Sequence, residues 1–75
     1  MKLILIRAAF DSDAKVWFVQ SSDLAGVHAE GATLDELRDK LPGVVQDVIG
    51  DGAPGDVLIE IVAHTSARIG PREAA

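Results

Sequence analysis

Short apolar runs separated by polar turns occupy the first half of the chain and predict β-strands. Residues 3–10 predict a buried first strand, and residues 16–21, rich in β-branched and aromatic side chains, predict a second. Residues 11–14 form a turn short enough for these strands to make an antiparallel hairpin. A second turn at residues 23–26, with Gly26 available for a positive φ, leads to a short third strand at residues 27–30.

The spacing of apolar residues changes to three and four after residue 33, which predicts an α-helix. Thr33 and Glu36 form a capping box, in which both side chains bond backbone N–H groups left free at the helix start. Pro42 removes a hydrogen bond inside the pattern, so we predict one kinked helix. The Gly-rich residues 50–55 end it. The predicted apolar stripe consists of Leu34, Leu37, Leu41, Val44 and Val48.

Residues 56–65 alternate in polarity and predict the last strand. One of its faces carries Val57, Ile59, Ile61 and Ala63, and the other, more mixed face carries Leu58, Glu60, Val62 and His64.

The order β-β-β-α-β returns the chain so that the fourth strand runs parallel to the first, and a right-handed crossover places the two side by side. The expected fold class is α+β, a four-stranded mixed sheet in the order 3-2-1-4 with one main helix on one face. We expect a single domain over residues 1–65 and a flexible C-terminal tail over residues 66–75.

The size and composition of the chain favour association with another subunit. It has 75 residues, of which 48% are hydrophobic, and a mean hydropathy of +0.22. A domain of this size buries only about 60% of its unfolded surface and is marginally stable alone. The chain has no cysteine, so neither a disulfide nor a zinc site with thiolate ligands can stabilise it. Small domains without such cross-links are commonly stabilised by association with a second subunit.

Two predicted strands are apolar on both faces, although one helix can cover only one of them. Leu3 and Leu5 alternate with other apolar residues in the first strand, and Trp17 and Val19 do so in the second. A sheet with one face in water normally alternates with polar residues. We therefore predict that Leu3, Leu5, Trp17 and Val19 form a self- or partner-interface. The alternative is that loops fold over a central first strand.

The charge of the chain narrows the choice of partner. Seven basic residues stand against twelve acidic ones, a formal net charge of −5. Binding to nucleic acid depends on basic residues that contact phosphate, so direct binding to DNA or RNA is not expected, whereas a basic protein is a compatible partner. The apolar N-terminus is interrupted by Arg7, and no signal peptide or membrane span follows. We expect a cytoplasmic protein.

No group of residues forms a recognisable catalytic or ligand-binding motif, and we predict neither an enzyme nor a cofactor or metal site. His28 and Glu30 share a face of the predicted third strand, but a metal would need further converging ligands. The acidic turn residues lie where Asp is expected in turns, the Gly-rich loop lacks a phosphate-binding pattern, and the serines lack a nucleophile context. A small-ligand or metal-binding domain, or an enzyme using His28 and Glu30, remains the alternative. The other residues weighed are His64, Asp11, Asp13, Asp23, Ser21, Ser22 and Ser66.

Several motifs between residues 3 and 50 resemble the HicB-like antitoxin superfamily, in particular a short, single-domain, largely uncharacterised branch. They are Arg7-Ala8, Asp11, Val16-Trp17-Phe18-Val19, Ser22-Asp23-Leu24-Ala25-Gly26, Glu30-Gly31 and Thr33-Leu34-Asp35-Glu36-Leu37. The family pattern usually has Pro where Ala25 stands.

The resemblance implies a partial RNase-H-like fold and, as partner, a small basic mRNA-cleaving toxin of the HicA type in a prokaryotic toxin–antitoxin system. It does not carry over DNA binding, because no C-terminal DNA-binding domain is expected after the last strand. It does not carry over nuclease activity either, because the first strand holds no Asp or Glu. The expected function is a non-catalytic interaction module that forms a homodimer or small oligomer, or an orphan homo-oligomeric domain without a toxin.

Overall fold

The computed structural model of the chain describes residues 2–50 and 55–71 and contains four strands and one helix in them. The strands lie in the order β3-β2-β1-β4, with β1 antiparallel to β2, β2 antiparallel to β3, and β1 parallel to β4. The predicted α+β class, the sheet order and the parallel placement of β4 beside β1 are confirmed. The elements are β1 (Lys2–Asp11), β2 (Val16–Ser22), β3 (Glu30–Gly31), α1 (Leu34–Ile49) and β4 (Val57–His64).

The core lies between α1 and one face of the sheet, with β1 at its centre. Every second residue of β1 faces the helix, and Ile4, Ile6 and Ala8 are almost completely buried. One face of β4 packs against the same cluster, as its alternation predicts. Leu37, Leu41 and Val45 are the buried helix residues opposite them, and Val57, Ile59, Ile61 and Ala63 are the contributing residues of β4.

The turn between β1 and β2 is closed by the carboxylate of Asp11. Its Oδ1 accepts hydrogen bonds from the backbone N–H groups of Asp13 and Ala14, at 2.9 and 3.2 Å. Lys15 completes the turn at φ 60°, in the left-handed region, and its N–H donates to the carbonyl of Asp11 at 2.7 Å. Farther along the hairpin a register shift between Arg7 and Ala8 leaves Gln20 without a directly paired residue.

The third strand differs from its prediction. It contains only Glu30 and Gly31, whereas residues 27–30 were expected. Val27 is 3% exposed and belongs to the buried core, so residues 27–29 pack towards the core and are not part of the strand that pairs with β2. A single backbone bond, from the N–H of Val19 to the carbonyl of Ala29, holds these residues to β2. The preceding turn does use Gly26 at φ 89°, as expected.

The helix begins with the predicted capping residues. The Thr33 hydroxyl accepts a hydrogen bond from the N–H of Glu36 at 3.0 Å. The Glu36 carboxylate accepts from the N–H of Ala32 at 2.7 Å, one residue before the position of the usual capping box. The side chain of Lys40 donates to the carbonyl of Glu30 and so ties α1 to β3.

The helix runs through Pro42 as one element and ends at Gly50, which has a φ of 79°. Leu34, Leu37, Leu41 and Val44 of its predicted stripe lie in or against the core, as expected, and Val48 is the member placed wrongly. Val45, four residues after Leu41, is buried, whereas Val48 is 38% exposed, because the row of i+4 positions faces the core. Residues 51–54 of the predicted Gly-rich loop lie outside the described residues.

Residues 65–71 follow β4 without regular secondary structure and are exposed. They include residues 66–71 of the predicted tail, whose last residues, 72–75, lie outside the described residues. The flexibility of this tail stays a prediction, as does the partial RNase-H-like relationship.

Replacing Thr33 with Ala removes the hydroxyl that caps α1. We expect the free energy of unfolding to fall by about 1 kcal/mol, because the N–H of Glu36 loses its partner. Urea titration followed by circular dichroism measures this difference. Ser12→Ala, in the exposed first turn, is the control and should change stability by less than about 0.5 kcal/mol. An equal loss in both variants would contradict the capping role.

Gly31 and Gly43 offer a matched pair of glycine-to-alanine changes. A Cβ on Gly31 would lie 2.8 Å from the backbone N of Leu37 and 3.2 Å from the carbonyl oxygen of Thr33, so the helix start would have to shift. We expect Gly31→Ala to destabilise by about 1–3 kcal/mol. A Cβ on Gly43 meets no atom within 4 Å, and Gly43→Ala should stabilise the helix by about 0.5–1 kcal/mol. Thermal unfolding distinguishes the opposite signs.

Candidate functional site

The face of the sheet turned away from α1 is the candidate functional site, and we call it the open face. The register fixes its members, because side chains of directly paired residues point to the same side of a sheet. On β1 and β4 the pairs on this face include Leu3 with Leu58 and Arg7 with Val62. On β2 the register pairs Phe18 with Ala9. The open face includes Leu3, Leu5, Arg7, Ala9, Val16, Phe18, Leu58, Glu60, Val62 and His64.

Much of the open face is apolar and in contact with solvent. Leu3 is 52% exposed, Leu58 48% and Val62 46%, and these three lie on the adjacent strands β1 and β4. Leu5, Val16 and Phe18 are half-buried beside them. Isolated exposed apolar residues are common on protein surfaces, but a contiguous group on one sheet face is typical of an interaction site.

Charged residues divide this apolar surface. Glu60 is paired in register with Leu5, Val62 with Arg7, and His64 with Ala9. Acidic and basic side chains therefore alternate with aliphatic ones along β4, and Arg7 lies on the neighbouring strand. An apolar centre with mixed charge around it is the composition found in interfaces between proteins.

The structure separates the four residues predicted to form an interface. Leu3 and Leu5 lie on the open face. Trp17 and Val19 lie on the opposite side, packed against the core, and the indole of Trp17 contacts the ring of Phe10 in a tilted arrangement, with centroids 5.3 Å apart and an interplanar angle of 58°. Placing Trp17 and Val19 with the leucines is wrong in this respect, because Val19 pairs with the buried Ala8.

Sequence reasoning missed the aromatic and aliphatic residues of β2 that do reach the open face, Val16 and Phe18. Both faces of this strand are apolar, so its pattern carries no signal for the side on which each residue lies. In β4 the signal was present, because the exposed Leu58 and Val62 alternate with core residues.

The residues weighed for metal binding do not converge. His28 lies outside β3 and is exposed, so the predicted arrangement of His28 and Glu30 on one strand face is not formed. His64 lies on β4, at the far side of β1 and β2 from β3. Within residues 2–50 and 55–71 no group of three or more His, Asp or Glu side chains could hold a metal ion.

Two acidic turn residues have structural partners. Besides Asp11, described above, Asp23 closes the end of the hairpin. Its Oδ2 accepts a hydrogen bond from the N–H of Leu5 at 3.1 Å, and its own N–H donates to the carbonyl of Leu5 at 3.0 Å. These two bonds give partners to the backbone N–H and C=O of Leu5 on β1, just beyond the last residue of β2. The carboxylates of Asp11 and Asp23 therefore each have a structural role, one in a turn and the other at a strand end.

A shallow hollow of ≈ 360 Å³ lies between β2 and the segment before β3. Its lining is Phe18, Val19, His28, Ala29 and Glu30. It brings His28 and Glu30 to the same concavity, although not on the same strand.

No helix in the described part of the chain has both the length and the apolar character to cross a membrane.

Adjacent residues of β4 test which face of the sheet is open. Leu58→Ser should change the free energy of unfolding by less than about 1 kcal/mol, because Leu58 is half exposed on the open face. Ile59→Ser should cost about 2 kcal/mol or more, because Ile59 packs against the core and a buried hydroxyl needs a partner. Urea titration at low protein concentration measures both. A larger loss at residue 58 than at residue 59 would contradict the assignment.

Comparison with known proteins gives the chain a family but no activity. No curated protein matches it. Among solved structures, a hypothetical protein from the extremely thermophilic bacterium Thermus thermophilus has the same fold, with a TM-score of 0.57 and 25% sequence identity, over 91% of this chain and 97% of that one. A family model described as a domain of unknown function, DUF1902, matches residues 3–70. The chain therefore belongs to the DUF1902 family.

Proposed function

We propose that this protein is a non-catalytic protein-interaction module and that the open face of its sheet is its binding surface. The observation that carries the proposal is the exposure of Leu3, Leu58 and Val62, each about half in water, on one face of the adjacent strands β1 and β4, with Leu3 directly opposite Leu58. A single helix covers the other face, and within the described residues no element lies on this one.

The energy available from this surface suits binding. Complete burial of a Leu or Val side chain is worth about 1.5–3 kcal/mol, so burying the remaining half of these three would contribute about 1 kcal/mol each. Phe18 and Leu5, which are half-buried, would add to this. Such a gain is considerable beside the stability of a small domain, which is only about 5 kcal/mol.

The finer proposal concerns the partner. The resemblance to HicB-like antitoxins suggests a small basic mRNA-cleaving toxin of the HicA type, neutralised by this chain. The net charge of −5 supports a basic partner, and the exposed side of α1 contributes Asp35, Glu36, Asp39 and Asp47 against two basic residues, Arg38 and Lys40. A field of this sign speeds the approach of a cationic protein.

Two other functions have a specific observation in their favour. A homo-oligomeric domain without a toxin would use the same apolar surface to bind further copies of this chain. A small-ligand site would use the hollow of ≈ 360 Å³ beside Phe18, where His28 and Glu30 supply polar groups. Addition of divalent metals or candidate ligands would then raise the melting temperature.

Affinity capture with a matched pair of variants tests the proposal. The tagged wild type, Leu3→Glu/Leu58→Glu and the control Ser12→Glu/Val48→Glu are used as baits in lysate of the source organism. The control adds the same charge at exposed positions outside the open face. We expect a partner in equimolar amount on the wild type and the control, and its loss from the open-face variant, because charged groups would be buried without partners.

The nature of the captured protein decides the finer proposal. A small basic protein that cleaves mRNA alone, and is inhibited by one equivalent of this chain, would support the antitoxin function. Recovery of untagged copies of this chain alone would support the homo-oligomer. Equal capture of the same proteins by all three baits would overturn the role of the open face.

A further inference from the structure

The outer edge of β4 is the longest unpaired strand edge in the described part of the chain. β4 has eight residues and pairs with β1 alone, whereas the other edge strand, β3, has two. Natural edge strands are usually protected from further pairing by Pro, by charged side chains, above all Lys, or by a bulge. β4 contains neither Pro nor Lys, Glu60 is its one acidic residue, and its register with β1 is continuous over its whole length.

The backbone of β4 presents a regular set of groups at this edge. The N–H of Lys2 donates to the carbonyl of Asp56, which places the even-numbered residues of β4 in the ladder with β1. In a parallel ladder the intervening residues direct their N–H and C=O groups to the opposite side. The outward groups belong to Val57, Ile59, Ile61 and Ala63, and an added strand could bond to all of them.

Acidic and basic residues in this region follow a pattern that fits pairing of the segment with itself. Asp56, Glu60, His64 and Arg68 are four residues apart, with the two acids before Val62 and the two bases after it. In an antiparallel pair centred on Val62, Glu60 lies opposite His64 of the second copy, and Asp56 lies opposite Arg68. A pair centred on Glu60 would instead set two carboxylates directly against each other.

The exposed residues after β4 fit the same register. Alternation continues through Thr65, Ala67 and Ile69, which have the parity of the core-facing residues of β4. Ile69 is 95% exposed in the single chain. In the pair centred on Val62, Ala67 lies opposite Val57 of the second copy, and Ile69 lies opposite Gly55.

A groove in the second copy would receive these side chains. It has a volume of ≈ 300 Å³ and lies between the second half of α1 and the start of β4, on the helix side of the sheet. Val45, Ile49, Val57 and Ile59 contribute apolar surface to it, and Pro42, Gln46, Gly55 and Asp56 complete its lining. The matching parity places Ile69 on this side of the sheet.

We propose that two copies of this chain pair through β4, antiparallel about a two-fold axis at Val62, and that residues 65–69 of each copy extend along the start of the other copy's β4. The pair joins two four-stranded sheets into one of eight strands and fills each groove with Ile69. The family model extends to residue 70 and so includes this segment. The inference does not rest on the proposed function, because it needs only an unpaired outer edge of β4 and no partner on the open face.

Single cysteines along β4 test the register, since the natural chain has none. Residues at the axis of a pair that is not hydrogen-bonded have Cα atoms about 4.5 Å apart, within the range for a disulfide. We expect Val62→Cys to form a covalent dimer under mild oxidation, and Leu58→Cys, Glu60→Cys and His64→Cys to form at least about tenfold less. Circular dichroism confirms folding of each variant. A maximum at another position, or no cross-link at any, would overturn the proposal.

Charge variants test the same pairing without covalent chemistry. Asp56→Lys/Glu60→Lys makes the segment wholly basic, and His64→Glu/Arg68→Glu makes it wholly acidic. Each alone should dimerise at least about tenfold more weakly than the wild type, and a mixture should form a one-to-one heterodimer. Asp39→Lys/Asp47→Lys, on exposed positions of α1, matches the charge change of the basic variant and should dimerise normally.

Sedimentation velocity gives the result for each variant and for the mixture. Dimers of the basic variant as tight as those of the wild type, or no heterodimer in the mixture, would overturn the register. The outcome is separable from that of the open face, because Leu3 lies on β1, one strand inside the paired edge, and four register positions from the axis at Val62. Adding Leu3→Glu to the Val62→Cys variant should therefore leave the cross-link intact.

Discussion

A single helix packed on the central strand is the constraint on which the structure depends. The side chains of Ile4, Ile6 and Ala8 on β1 and of Leu37 and Leu41 on α1 form the most deeply buried contact of the domain. Because only one helix is available, this packing covers one face of the sheet and leaves the other open. It also leaves β4 at the margin of the core, with its outer backbone groups unpaired. The surfaces proposed for binding are therefore direct consequences of how small the domain is.

Several polar groups that might suggest chemistry serve the fold instead. Asp11 closes the first turn, Asp23 satisfies β1 beyond the end of β2, and Thr33 with Glu36 starts α1. Carboxylates occupied by backbone N–H groups are poor candidates for proton transfer or metal binding. The proposed function therefore rests on shape, apolar surface and charge pattern, which are the means by which proteins recognise other proteins.

The sequence predicted the features that depend on local pattern. The capping residues Thr33 and Glu36, the alternation of β4 and the crossover rule were sufficient for the helix start, the buried face of β4 and the strand order. It could not predict which side of the sheet Trp17 occupies, because β2 is apolar on both faces and its register depends on the turn at Lys15. Likewise, Val27 has the residue type of a strand but packs into the core. On α1 the buried residue is Val45 and not Val48, because the i+4 row that contains Leu41 faces the core.

Amide hydrogen exchange in β4 of the wild-type protein, measured by NMR at low and high protein concentration, tests most directly the claim that the uncovered edge binds a second copy. The ladder with β1 protects the even-numbered amides at both concentrations. Edge pairing predicts that the odd-numbered amides of Ile59, Ile61 and Ala63 exchange rapidly at low concentration and become protected at high concentration. Rapid exchange of these three amides at every concentration would contradict the account.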